Sequence, residues 1–181
     1  MVELLEIVRA DNIPLVFLDE AVFTFNTFFK KAWSGPNESI TVRDQALKVK
    51  TQAFIAAISL ENGLEDFAIH PKSISTEEFK AFIKKLSDRF CGKPFAVFLD
   101  NLSVHKTNQS KAMFTELKIT PIFNIPYSPQ YNGIESYFSL VKCEYKKEIL
   151  KLVMKGERPD SIALIKMAVS QVDVEKIKRC V

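Results

Sequence analysis

Apolar and polar positions alternate along this chain in short blocks that change period several times. "IPLVFLDEAVFTF", from Ile13, reads as a strand, with Pro14 at its start, where a missing N–H does little harm. The dozen residues before it form a short leader, and residues 26–48 read as irregular, with Ser-Gly-Pro-Asn punctuation and an isolated Trp33. "VKTQAFIAAISL" and "LEDFAIH" are two strands around "ENG", where Asn62-Gly63 suits a tight hairpin turn with positive φ at both central positions. Ser75 opens a helix, "STEEFKAFIKKLSDRF": Ser75 and Glu78 have capping-box spacing, and Phe79, Phe82, Ile83 and Leu86 make the apolar stripe. "PFAVFLD" is a continuous apolar run of the kind buried on both faces of a sheet. A helix to about Leu117 and the strand "KITPIFNI" follow. Then comes a helix with Ile134, Tyr137, Phe138, Val141 and Tyr145 on one side, and a last helix spans about 159–178. This order predicts an α/β fold, a mixed sheet of about five strands flanked by helices, parallel in its second half.

Composition narrows the class. With 181 residues, 47% hydrophobic and only 5 Gly, the chain suits one well-filled core, so a single domain over 1–181 is expected, its core at about 14–150. The net charge of +3 is unevenly placed: Lys142 to Val181 holds ten basic and six acidic residues, leaving −1 on the first 141. Such an end suits a polyanionic partner, and equally a solvated helical face. Cys91, Cys143 and Cys180 are odd in number and fit no ligand spacing, and His70 and His105 are the only histidines, which argues against a disulfide scaffold and a zinc site. The longest apolar run, "AFIAAISL", is too short to span a membrane, and no signal peptide is evident. A soluble intracellular protein with no membrane partner is expected.

The candidate chemistry is acidic. Two strands end alike, "LVFLDE" and "AVFLDN", each delivering an aspartate, Asp19 and Asp100. Ligands gather beyond the carboxyl ends of strands in open α/β sheets, and two carboxylates side by side call for a cation. An acidic residue ending a single strand is also ordinary turn chemistry; it is the repetition that points to a site. Glu20 faces away from Asp19, since neighbours on a strand point to opposite faces. Glu135 lies in the first turn of a helix behind the stiff loop "PYSPQYN". Either it completes a capping box with Asn132, or the loop fixes it as a third metal-binding acid. Ser139, Lys142 and Lys146 continue its face, a cation row that suits a phosphate backbone, or a solvated surface.

Taken together, "VFLDEAVFTF", the Trp33 region, "FLDNLSVHKT" and "PYSPQYNGIESYFSLVK" resemble the catalytic domain of mariner-type cut-and-paste transposases, within the ribonuclease H-like DDE transposase and integrase superfamily. The 34 residues between Asp100 and Glu135 match one large branch of that family. The resemblance implies a ribonuclease H-like fold and catalytic, metal-ligating roles for Asp19, Asp100 and Glu135. It also implies two Mg²⁺ ions, with Mn²⁺ substituting, and DNA as partner, both transposon ends and target, with a homodimer in the synaptic complex. Asn101, His105, Asn132, Lys142 and Lys146 become candidates for supporting the acids or touching DNA. The implied reaction is hydrolysis that frees a 3′-hydroxyl, followed by attack of that hydroxyl on target DNA, in the nucleus of a eukaryote or the cytoplasm of a bacterium. The helix-turn-helix module that reads transposon ends in the family has no counterpart in the dozen residues before the first strand.

This sequence departs from the family at Gly133, usually proline, and at Phe138, usually tryptophan. Gly133 is the best support for a competing reading, a transposase-derived DNA-binding or scaffold protein without turnover. An aspartate-based phosphotransferase using Asp19 would need a helix-capped phosphate loop and a matching lysine, neither of which is clear.

Overall fold

The computed structural model describes residues 2–24, 36, 50–101, 107–155, 157 and 160–181; Trp33, His105 and most of the irregular 26–48 stretch lie outside them. The elements are α1 (Val2–Ala10), β1 (Leu15–Phe23), β2 (Gln52–Ser59), β3 (Gly63–Pro71), α2 (Thr76–Arg89), β4 (Phe95–Leu99), α3 (Asn108–Glu116), β5 (Ile119–Phe123), α4 (Ile134–Lys155), α5 (Ser161–Gln171) and α6 (Val174–Lys178). A short 3₁₀ turn, Pro129–Tyr131, precedes α4.

The five strands form one mixed sheet in the order β3-β2-β1-β4-β5. β1 pairs antiparallel with β2 and parallel with β4, and β4 pairs parallel with β5. β5 is thus an outer strand, and Pro121 sits in its middle, opposite Val97.

Period-two alternation sorts the strand residues into two cores. Phe17, Phe54, Ile58, Phe98 and Ile122 face α4, α5 and α6. Val16, Leu18, Ile55, Val97 and Ile119 face α2 and α3. Strands read as continuous apolar runs because both faces are covered, and β4 is buried at all five positions. Burying each large side chain fully is worth roughly 1.5–3 kcal/mol. α4 is held over the sheet by aromatic contacts: Tyr145 meets Phe23 edge-on at 4.8 Å, and Phe138 meets Phe54 edge-on at 5.9 Å.

The capping box of α2 forms as expected, with Ser75 Oγ accepting from the Glu78 N–H and Glu78 Oε2 accepting from the Ser75 N–H at 2.7 Å. Other expectations need correction. The leader is largely helical, and Val8 of α1 is buried in the α4-side core. The hairpin turn has positive φ only at Gly63 (+75°); Asn62 instead donates its side-chain amide to Glu65. That is a three-residue loop closed by a left-handed glycine. The last helix is two, broken at Val172–Asp173, where Asp173 accepts from the Glu175 and Lys176 N–H groups and starts α6. Among the described residues no helix is long and apolar enough to cross a membrane.

Candidate active site

Strand register places the first two acids together. β1 and β4 pair through Leu15–Ala96, Val16–Val97 and Phe17–Phe98, and the same offset carried on sets Asp19 level with Asp100. β4 ends at Leu99, so β1 runs past it and both aspartates emerge at the carboxyl end of the parallel strands. Asp19 shares its strand face with Phe17 and Ala21, the face covered by α4. Glu135, second residue of α4, arrives over that face.

The three acids border one open pocket of about 840 Å³, together with Asn101, Asn124 and Asn132. Glu20 also reaches its rim. The Asp19 carboxyl is pushed from 3.8 up to about 7, chiefly by burial and further by the charges of Asp100, Glu135 and Glu20, against the lowering effect of the Glu20 N–H. Asp19 Oδ1 accepts that N–H at 2.7 Å, and Asp19 Oδ2 accepts from Asn132 Nδ2 at 3.0 Å.

Asn132 corrects the helix-capping expectation. Its Oδ1 is buried without a hydrogen-bond partner among the described residues, so it does not accept the Glu135 N–H and no capping box closes. The amide is drawn to Asp19 instead, and the Glu135 N–H bonds the Asn132 backbone carbonyl at 3.1 Å. Gly133 is also more than a loosened helix start. A Cβ there would collide with the carbonyl oxygen of Cys180, with that carbonyl carbon 3.0 Å away and Val181 Cα 3.3 Å away.

Asn101 lines the pocket with its Oδ1 likewise buried and unpartnered among the described residues. Lys142 and Lys146 lie farther along α4, away from the pocket. Neither makes an ion pair among the described residues, whereas Lys147 and Lys151 are paired with Glu144 and Glu148 at 2.8 and 2.7 Å. Asn124 was missed by sequence reasoning. It follows β5 as Asp100 follows β4, and its N–H donates to the Leu99 carbonyl at 2.8 Å. The signal was available: a third parallel strand ending in a polar residue.

Three carboxylates and two free carboxamide oxygens are hard donors of the kind Mg²⁺ and Mn²⁺ take. Among the described residues no three acidic, histidine or cysteine side chains stand close enough to enclose one ion. Burial is the larger cause of the raised Asp19 carboxyl, and the smaller part, from the charges of Asp100, Glu135 and Glu20, is what a cation would relieve.

A family model described as DDE superfamily endonuclease matches residues 14–152. The chain belongs to this family. No curated protein matches it. Among solved structures, the DDE chain is similar to the Mos1 mariner paired-end complex with Mn, at TM-score 0.69 and 15% identity over 99% of this chain. It spans 55% of the Mos1 chain in that complex and 81% of the isolated Mos1 catalytic domain, which it matches at TM-score 0.63 and 13% identity. A chain of a simian T-cell lymphotropic virus intasome in complex with the PP2A regulatory subunit B56 gamma matches at TM-score 0.58 and 14% identity, over 87% of this chain and 48% of that one. At these identities the likeness is one of fold, and it makes the DDE chain's mixed five-stranded sheet and covering helices the ribonuclease H-like arrangement.

Proposed function

We propose that this chain cuts and joins DNA strands as the catalytic domain of a cut-and-paste transposase. The observation that carries the reading is the set of three acids from three separate elements on one pocket, with Asp19 driven toward neutrality by burial and by the other two. Mos1 structures with Mn and with Mg, and Mos1 complexes named as paired-end and strand-transfer, support divalent ions and DNA as partners and a synaptic assembly.

In this reading Asp19, Asp100 and Glu135 would hold a pair of Mg²⁺ ions. Bound there, such ions would make an attacking water or hydroxyl more acidic and neutralise charge on the leaving oxygen. The chain's own residues prepare the ground. The Glu20 N–H and the Asn132 amide fix both oxygens of Asp19 before any ligand arrives. Lys142 and Lys146, unpaired on α4 among the described residues, offer charge to a phosphate backbone leaving the pocket along the helix.

Gly133 does not by itself favour the scaffold reading, a transposase-derived protein without turnover, because the close approach of Cys180 also accounts for a glycine there. The test is nicking of supercoiled plasmid by the parent and Asp100→Asn in Mg²⁺ or Mn²⁺. Metal-dependent nicking by the parent alone is expected. Equal nicking by both would remove the assignment, and no nicking by either would return the lead to the scaffold.

A further inference from the structure

The segment 173–181 meets the rest of the fold at two glycines. A Cβ at Gly63 would lie 3.1 Å from Val174 Cγ1, and one at Gly133 would strike the backbone of Cys180. The two contacts lie at opposite ends of one short segment, α6 with the residues after it, laid across the β2–β3 hairpin and ending on the first turn of α4. The pocket between this segment and α4 is lined by Asn132, Gly133, Glu135 and Cys180, so the contact borders the acid site directly.

The residue next to Gly133 is Asn132, only 3% exposed, which donates to Asp19 across 113 residues of sequence. Backbone pressed against Gly133 on one side and a hydrogen bond from Asn132 on the other leave residues 132–133 little room to shift.

We infer that Asn132 is the positioning residue for Asp19, and that the Cys180–Val181 backbone seated on Gly133 is what keeps it in place. The segment 173–181 is then part of the acid site's support, although none of its side chains need touch metal or DNA. The Asn132 amide fixes one Asp19 oxygen and leaves its other lone pairs for a ligand. Groups that orient metal ligands in this way typically change metal affinity by about 10–100-fold when removed. The inference rests on the functional reading above, and two measurements keep the fates of the two ideas separate.

The first measurement needs no metal. In the NMR spectrum of the metal-free parent, the Asn132 side-chain amide protons should exchange slowly and resonate away from the exposed-amide region. Gly133→Ala should move them to exposed positions and speed their exchange. Cys180→Ala should not, because the contact is made by backbone. If Gly133→Ala does not fold, Asp173→Ala, which removes the cap of α6, should produce the same change in weaker form. Asn132 signals unmoved in the folded variant would overturn the inference.

The second measurement is Mn²⁺ affinity from free-ion electron paramagnetic resonance. Asn132→Ala and Gly133→Ala should each weaken Mn²⁺ binding about tenfold or more, with Cys180→Ala unchanged. Parent-like affinity in Asn132→Ala would also overturn the inference. A parent that binds no Mn²⁺ would sink the functional reading alone, and the amide signals would still decide whether the segment positions Asn132.

Discussion

Raising the Asp19 carboxyl from 3.8 to about 7 makes the metal-free protein sensitive to pH. Below about pH 4 folded and unfolded chains both hold the proton, and the stability tied to it is fully present. Between there and about 7 the folded chain keeps a proton that the unfolded chain has released, so this contribution is lost as pH rises. Thermal melts of the metal-free parent and Asp19→Asn from pH 4 to 8 should diverge in that window, with the parent falling more steeply; parallel curves would mean that Asp19 is solvated. At the same scale, Asp100→Asn and Glu135→Gln each remove a charge that raises the Asp19 carboxyl. Both should keep the metal-free melting temperature or raise it slightly, and both should lose most of the melting-temperature gain that Mg²⁺ or Mn²⁺ gives the parent, since a ligand bound only by the native state stabilises it. A Glu135 that served only its helix would show the opposite: a full metal response in Glu135→Gln.

Proline at Gly133 would suit a helix start by φ alone, yet its Cβ would meet the Cys180 carbonyl. Gly133→Pro should therefore lower the melting temperature, and a rise would show that the 173–181 segment yields easily. Gly63→Ala places a side chain at φ +75° and against Val174; the left-handed conformation alone should cost about 1–2 kcal/mol in chemical denaturation. Ser75→Ala, which opens the α2 capping box, should cost about 1 kcal/mol. The elements that the sequence disclosed are those governed by local rules. The Ser75–Glu78 box, the apolar stripes of α2 and α4, and the strand-end aspartates all follow from spacing within a few residues. What stayed hidden depends on partners far along the chain. Asn132 has the right side chain for a helix cap, but Asp19, 113 residues earlier, claims its amide. Gly133 looks like a missing proline until Cys180 comes into view. The break at Val172–Asp173 was legible in principle, as Asp173 is a good cap, but the apolar residues on either side continue the helical pattern.

For the whole molecule, charge and edges decide what it meets. Binding of this chain to unrelated DNA duplexes should be weak and fall steeply with salt, because the contacts proposed for Lys142 and Lys146 are to the phosphate backbone and would carry no sequence information. Lys142→Gln with Lys146→Gln should make the slope of log affinity against log salt shallower, by about one unit for each phosphate that is no longer neutralised. An unchanged slope would place the DNA path elsewhere. The position of β5 bears on how two copies could meet. An outer strand invites another chain to extend the sheet, and Pro121, in the middle of β5, offers no N–H to such a neighbour. Pairing of copies around DNA by extension of the sheet at β5 is therefore disfavoured, and the same missing donor guards the chain against growing into fibrils from that side.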